Sequence, residues 1–346
     1  MKTLIDRLGR EHALSRAEWI ALLRGRDAET ARYLFGKARE ARRRYYGDDV
    51  YIRGLIEFTN CCRNDCYYCG IRRSNTHASR YRLTEEEILA CCREGWAIGY
   101  RAFVLQGGED PTWGPDRIAA LVASIKQAFP ACAVTLSVGE HDRETYRRWF
   151  EAGADRYLLR QETADNAHYR LLHPPELSPE NRKRCLWDLK VIGYQVGCGL
   201  MAGSPGQGPE QLAEDFLFMR ELEPDMVGIG PFVPARHTPF ADQPAGSLDL
   251  TLFLLGLVRL MLPNVLLPAT TALGTVHPRG RELGMLAGAN VCMPNLSPPG
   301  VRDKYALYDH KLCTGEEAAQ NLQSLRERVA SIGCRVVVAR GDHKPR

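Results

Sequence analysis

Eight short β-rich runs, alternating with stretches of helical period, recur along most of this chain. The runs cover 55–59, 102–107, 133–138, 156–162, 195–201, 226–231, 266–272 and 290–294. Between them, apolar residues fall at helical spacing over 84–98, 115–129, 143–152, 179–192, 209–222 and 250–262. Thr84 and Glu87 form a capping box, and Ser178 before Pro179 supplies an N-cap followed by proline at the first helical position. Eight such units in order predict an α/β fold, a closed parallel (β/α)8 barrel of the TIM type, in preference to a doubly wound open sheet. Barrel strands are covered on both faces and should be nearly continuous apolar runs. Phe103-Val104-Leu105 and Val227-Gly228-Ile229 fit that.

Residues 1–49 read as a helical segment packed on the barrel, with a capping box at Ser15 and Glu18 and apolar spacing through Trp19, Leu22 and Leu23. The barrel is assigned to 50–312, and 313–346 to a final helix (316–331) and a polar end, 341–346, expected to fray. A chain of 346 residues, 45% hydrophobic and 25% charged, is ordinary for one large globular domain. A net charge of +4 is too small to argue for nucleic acid, and Arg39, Arg42, Arg43 and Arg44 fit a solvated helix face. The most apolar stretch, 252–269, is interrupted by Arg259, Pro263 and Asn264, so no membrane span is expected. Twelve cysteines without an evident export signal suggest a reducing, cytoplasmic setting.

Directly after the first run come Cys62, Cys66 and Cys69, spaced C-x3-C-x2-C with Tyr68 before the last. Three thiolates leave a [4Fe–4S] cube one ligand short, and an open iron is where chemistry can occur. A structural zinc site needs four ligands, and no CxxC partner or HxxxH lies nearby. A disulfide pair is disfavoured in a chain of this size. Beginning at Cys61 would give the plant-ferredoxin spacing, which then needs a further cysteine downstream; Cys91 and Cys92 fall in a helical stretch. Cys61 reads better as packing behind the loop.

This loop resembles that of the radical S-adenosylmethionine (SAM) enzymes. The resemblance implies a [4Fe–4S] cluster on Cys62, Cys66 and Cys69 whose open iron is chelated by SAM. Gly107-Gly108-Glu109 after the second run resembles the family's GGE motif: two glycines permit close backbone approach, and the carboxylate suits an ammonium group. Arg160 and Glu162, two apart on a predicted strand, should face one wall. By resemblance Glu162 bonds the ribose, Arg182 pairs with the SAM carboxylate, and Tyr68 sits against the adenine. Met201, Gln106, Ser137 and Ile229 complete the implied cofactor shell.

Longer stretches from about Arg53 to Lys311, among them Val104–Pro111, Gly153–Arg160 and Asp225–Phe232, resemble the HydE family of [FeFe]-hydrogenase maturases, relatives of biotin synthase and methylornithine synthase. That implies an organometallic substrate carrying CO, cyanide and cysteine, and transient contact with other maturases and a reductant protein. The implied substrate shell is Arg53, Thr135, Arg156, Thr270, Thr271, Met293, Tyr305 and Tyr308. Two arginines and paired hydroxyls suit a carboxylate and cyanide, and Tyr305 and Tyr308 should share a helical face. The chain departs from the family at Gly107, where Ser is common. It departs again after Cys313, where Asn321 and Ser324 replace the cysteines of a second cluster; none is expected. A lysine mutase of the methylornithine type, and a non-catalytic cluster or zinc carrier, are the alternatives. Biotin synthase is disfavoured because 102–107 and 133–138 hold no cysteine for its second cluster.

Overall fold

A computed structural model of the chain describes residues 1–312 and 319–345. Six parallel strands run in chain order: β2 (Gly54–Thr59), β3 (Ala102–Gly107), β4 (Ala133–Ser137), β5 (Arg156–Leu158), β6 (Gln195–Ala202) and β7 (Met226–Pro231). The ring is completed by thinner contacts. Met226 bridges to Leu266, Pro268 to Val291 of β8 (Val291–Cys292), and Asn295 back to Leu55. The seventh and eighth strand positions of the barrel are thus single bridges instead of long ladders. The backbone still pairs there, with Ala269 N donating to Val291 O at 2.9 Å and Leu55 N to Pro294 O at 2.9 Å.

Helices α4 (Glu85–Ile98), α5 (Pro115–Ala128), α6 (Arg143–Glu151), α7 (Asn166–Leu172), α8 (Pro179–Ile192), α9 (Pro209–Leu222) and α10 (Leu248–Met261) form the outer layer. The capping box at Thr84 and the Ser178 cap both form, so these helices begin where the sequence signals them. Two expectations change. The fourth run stops being strand at Leu158, and Thr271, expected in the seventh run, instead opens α11 (Thr271–Val276), with Thr270 as its N-cap.

The N-terminal helices, α1 (Lys2–Glu11), α2 (Arg16–Arg24) and α3 (Ala28–Tyr46), lie outside the barrel on α9 and α10. Trp19 stacks on Phe216 with ring centroids 4.2 Å apart. Beneath the barrel, β1 (Asp49–Ile52) pairs with β8 on one side and with β9 (Arg335–Val337) on the other. Between them α12 (Gly280–Leu286) and α13 (Leu322–Ala330) complete the helices. The described residues after β9, 338–345, are held by the barrel. Arg340, Asp342, His343 and Lys344 bond to the starts of β5, β6 and β7 and to the end of α3, closing the N-terminal mouth of the barrel. Cys313 lies outside the described residues.

Candidate active site

The cysteine loop occupies the opposite, C-terminal rim, where parallel barrels carry their chemistry. Its shape is imposed by residues the sequence reading did not single out. The Arg80 guanidinium donates to four backbone carbonyls, those of Asn60 (2.6 Å), Ile71 (2.8 Å), Arg72 (2.6 Å) and Asn75 (3.1 Å). Arg72 grips Asp65 from two nitrogens and, with Ser74, holds that carboxyl well below its ordinary range. Tyr67 N donates to Leu172 O at 3.0 Å and Gly70 N to Leu307 O at 2.8 Å, tying the loop to its neighbours.

Cys62, Cys66 and Cys69 are free, half-buried thiols. Burial, then the neighbouring Cys69, pushes the Cys66 thiol far up; burial, then Cys62, pushes Cys69 up to about 12. Burial also raises the Cys62 thiol, so all three favour the neutral form until a cation draws off the proton, since metal binding requires thiolates. Among the described residues no three His, Cys, Asp or Glu side chains gather tightly enough for a single ion. A cube offers each thiolate its own iron corner, so it does not ask the three sulfurs to converge on one point. Cys61 points elsewhere, its Sγ 3.8 Å from Tyr81 O.

Around the loop the predicted SAM shell divides. Arg160 Nη2 lies 3.1 Å from Glu162 Oε2, beyond the end of β5. They are not side by side on a strand as expected; Glu162 stands in the left-handed region, φ 63°. A bulky residue holds that conformation only when its surroundings dictate it, and such residues cluster at functional sites. Burial raises the Glu162 carboxyl, opposed by Arg160 and Arg182. Arg182 is buried, paired with Glu140, and donates to Arg160 O at 2.6 Å. Tyr68 packs with Leu172, Met201, Phe232 and Phe240 in an apolar cleft, its hydroxyl 3.1 Å from His173 Nε2. Ile229 is buried on β7 in register with Leu200, and Gln106 on β3 is in register with Ser137 on β4.

Glu109 differs from expectation. Its Oε1 accepts from Glu140 N at 2.8 Å and its Oε2 from Arg63 Nε at 3.0 Å. The carboxylate therefore clamps the cysteine loop to the loop after β4, each oxygen carrying one bond within the protein. Gly108 packs directly behind the cysteine loop, and Gly107 against Thr59 and Phe58 of β2.

The strut beneath Glu162 was also missed. Asp215, fully buried on α9, accepts from Gln161 Nε2 (3.0 Å) and Ala164 N (2.8 Å), and Gln161 Oε1 in turn accepts from Gly199 N (2.8 Å). Its Oδ2 is buried with no partner, and burial raises the carboxyl to about 7. The folded value exceeds the unfolded one, so this proton favours the fold at low pH. The stabilisation is lost as pH rises from about 4 through about 7. Asp215→Asn keeps an accepting oxygen without the charge. Relative to wild type it should gain stability between pH 5 and pH 8, approaching about 4 kcal/mol at the upper end. Urea unfolding at the two pH values checks this, and a constant difference between the proteins refutes it.

Inside the barrel several polar atoms stand unpaired. Buried with no hydrogen-bond partner are Arg53 Nε and Nη2, Thr135 Oγ1, Arg156 Nη1 and Thr270 Oγ1. They come from four different strand positions, and buried polar atoms ordinarily have a protein or water partner, so each of these calls for one. Thr271 is turned away, its Oγ1 accepting from Arg281 Nη2 at 3.2 Å. Met293 packs with the Tyr46, Tyr51 and Met226 cluster below. Tyr305 is buried, with Lys311 Nζ 4.9 Å from its ring centre, but the 3-10 turn Pro299–Lys304 ends just before it. Tyr305 and Tyr308 therefore do not share a helical face, and Tyr308 is half-buried. Glu57, wholly buried on β2, pairs with Lys311 Nζ at 2.5 Å and accepts from Asn295 Nδ2 at 2.9 Å. A glutamate inside a barrel strand was the available signal for this pair.

A half-open cysteine triplet on the rim of a parallel barrel, over unpaired polar atoms in its interior, defines a class, and the sequence matches the Radical SAM superfamily over residues 56–219. The chain belongs to that superfamily and is an enzyme of it, which implies a [4Fe–4S] cluster and SAM. It is 48% identical over 300 residues to the [FeFe] hydrogenase maturase subunit HydE of Thermotoga maritima, covering 87% of this chain and 85% of that one. Identity to 3-methylornithine synthase of Methanosarcina acetivorans is 30%, over 95% and 93% of the two chains. The crystal structure of methylornithine synthase superposes with a TM-score of 0.85 at 29% identity, covering 96% of this chain and 97% of that one. The maturase HydG, at 20% identity and a TM-score of 0.83 over 97% and 76%, shares the fold. Among the described residues no helix is long and apolar enough to cross a membrane.

Proposed function

We propose that this chain acts in [FeFe]-hydrogenase maturation, using SAM at a cluster held by Cys62, Cys66 and Cys69 to transform a small organometallic substrate in the barrel hollow. When bound, the cluster supplies the electron that breaks a C–S bond of SAM and releases a 5′-deoxyadenosyl radical. The protein's own part is to bind and orient. Arg182, Glu162, Tyr68 and Met201 would hold the cofactor. Arg53, Arg156, Thr135 and Thr270 offer donors to an iron-bound cysteine carboxylate and cyanide. Other maturases supply the substrate and a reductant protein the electron.

One observation carries the choice: the hollow presents unpartnered donors, whereas its acids are committed. A lysine substrate needs a carboxylate for its ammonium group, yet Glu57 is paired with Lys311 and Asp342 with Arg156 and Arg340. The methylornithine reading keeps the support of overall likeness. The test is an anaerobic incubation of the reconstituted protein with SAM, dithionite and L-lysine, alongside complementation of a hydrogenase host lacking its own HydE. Restored hydrogenase activity with no methylornithine is expected. Methylornithine formation, or failure to complement, overturns the reading.

A further inference from the structure

The floor of the hollow is made by the segment 340–344, and it reaches one of the two interior arginines. Arg156 is wholly buried at the start of β5. Its Nη2 donates to Asp342 Oδ1 at 2.6 Å and to Arg340 O at 2.9 Å, and its Nε to Gln195 Oε1 at 3.2 Å. Only Nη1 is left facing inward without a partner. Arg53 is buried nearby, close enough for the two cations to repel, and keeps both Nε and Nη2 unpartnered. Those two donors on one edge of the guanidinium match the two oxygens of a carboxylate.

The segment is seated, not draped. Gly341 has φ 63°, and a Cβ there would come within 2.8 Å of the Tyr51 ring. Gln195 Nε2 donates to Asp342 Oδ1 at 3.0 Å, and His343 N to Gln195 Oε1 at 3.0 Å. Asn264 Nδ2 donates to Lys344 O at 2.8 Å, and Arg340 bonds both Asp342 Oδ2 (2.9 Å) and Asp155 Oδ1 (2.8 Å).

We propose that Asp342 is a positioning residue for the substrate hollow: its carboxylate takes the outer face of Arg156 so that a single N–H points inward. Arg53 is left as the two-pronged receptor for the substrate's carboxylate. Asp342 also limits how strongly the hollow attracts anions, being the carboxylate bonded to Arg156 there. This rests on the reading of the hollow as the substrate site.

The probe is acetate, a bare carboxylate, titrated into holoenzyme and followed by saturation-transfer NMR, with Arg53→Gln defining binding outside the hollow. Asp342→Asn keeps an oxygen on Arg156 but removes the charge, and should tighten the Arg53-dependent binding about tenfold, one step of ~1.4 kcal/mol. Removal of residues 340–346 also frees Arg156 to swing outward, and should weaken that binding by a similar factor. Asp342→Glu should restore wild-type affinity. A role confined to stability would weaken binding in both altered proteins, so weakening or no change in Asp342→Asn overturns the proposal. Iron content and circular dichroism report that the variants are folded. If wild type and Arg53→Gln bind acetate equally, it is the reading of the hollow itself that falls.

Discussion

Replacing Cys66 by alanine removes the cluster and leaves the barrel standing. A cube held by two thiolates in place of three loses its anchorage, so iron after anaerobic reconstitution should fall from about four per chain to below about one. Formation of 5′-deoxyadenosine should fall to the level of protein-free controls. The fold should persist because the loop's framework does not run through Cys66. Arg80 holds Asn60, Ile71, Arg72 and Asn75, and Arg72 holds Asp65. Cys61→Ala is the companion experiment. Its sulfur is directed at Tyr81 O, so iron content should be unchanged. Loss of iron in Cys61→Ala, or retained SAM cleavage in Cys66→Ala, would reassign the ligands.

Much of the barrel was legible because strands covered on both faces leave continuous apolar runs, and because caps such as Thr84 and Ser178 announce helix starts. The departures have local causes. The strand beginning at Arg156 is only three residues long, with a single further bridge from the left-handed Glu162 to Leu200, and apolar content does not report φ. Thr271 belongs to a six-residue helix too short to display a period. The floor of the barrel escaped notice for a different reason. Its residues, Arg340 to Lys344, are polar and follow a two-sided strand pairing of β1 that no neighbouring run signals. Polar composition suggests fraying only when no buried partner awaits it, and here Arg156 does.

The site was legible by residue type more than by role. The cysteine spacing and Glu162 were visible because charged or metal-binding residues beside barrel strands are unusual, whereas Arg182, on α8, was reached only through the family resemblance. What could not be read was which charges neutralise each other. Glu109 faces Arg63 and the Glu140 amide, Arg182 faces Glu140, and Glu57 faces Lys311, a residue 254 positions away. Such pairings are set by the closure of the ring, so a carboxylate suited by type to an ammonium ligand can already be occupied.

A single methyl group at Gly108 should disable cluster assembly without touching a ligand. A Cβ there would sit 2.3 Å from Cys61 O and 2.7 Å from Cys62 Cβ. Both obstacles belong to the loop that carries the first thiol, and one is backbone, so no rotamer change relieves the clash. Gly108→Ala must therefore push Cys62 off its position, and a misplaced ligand of this kind costs far more than the added volume. Iron incorporation should drop more than about tenfold, corresponding to at least ~1.4 kcal/mol of lost site affinity. Gly107 is the internal control. A Cβ there meets the Thr59 methyl at 2.8 Å and the Phe58 ring at 3.2 Å, both side chains. Gly107→Ala should keep most of its iron, and so should Gly107→Ser. Equal iron content in Gly108→Ala and wild type would mean that the cysteine loop is free to move away from β3, and that its packing there does not set the geometry of the site.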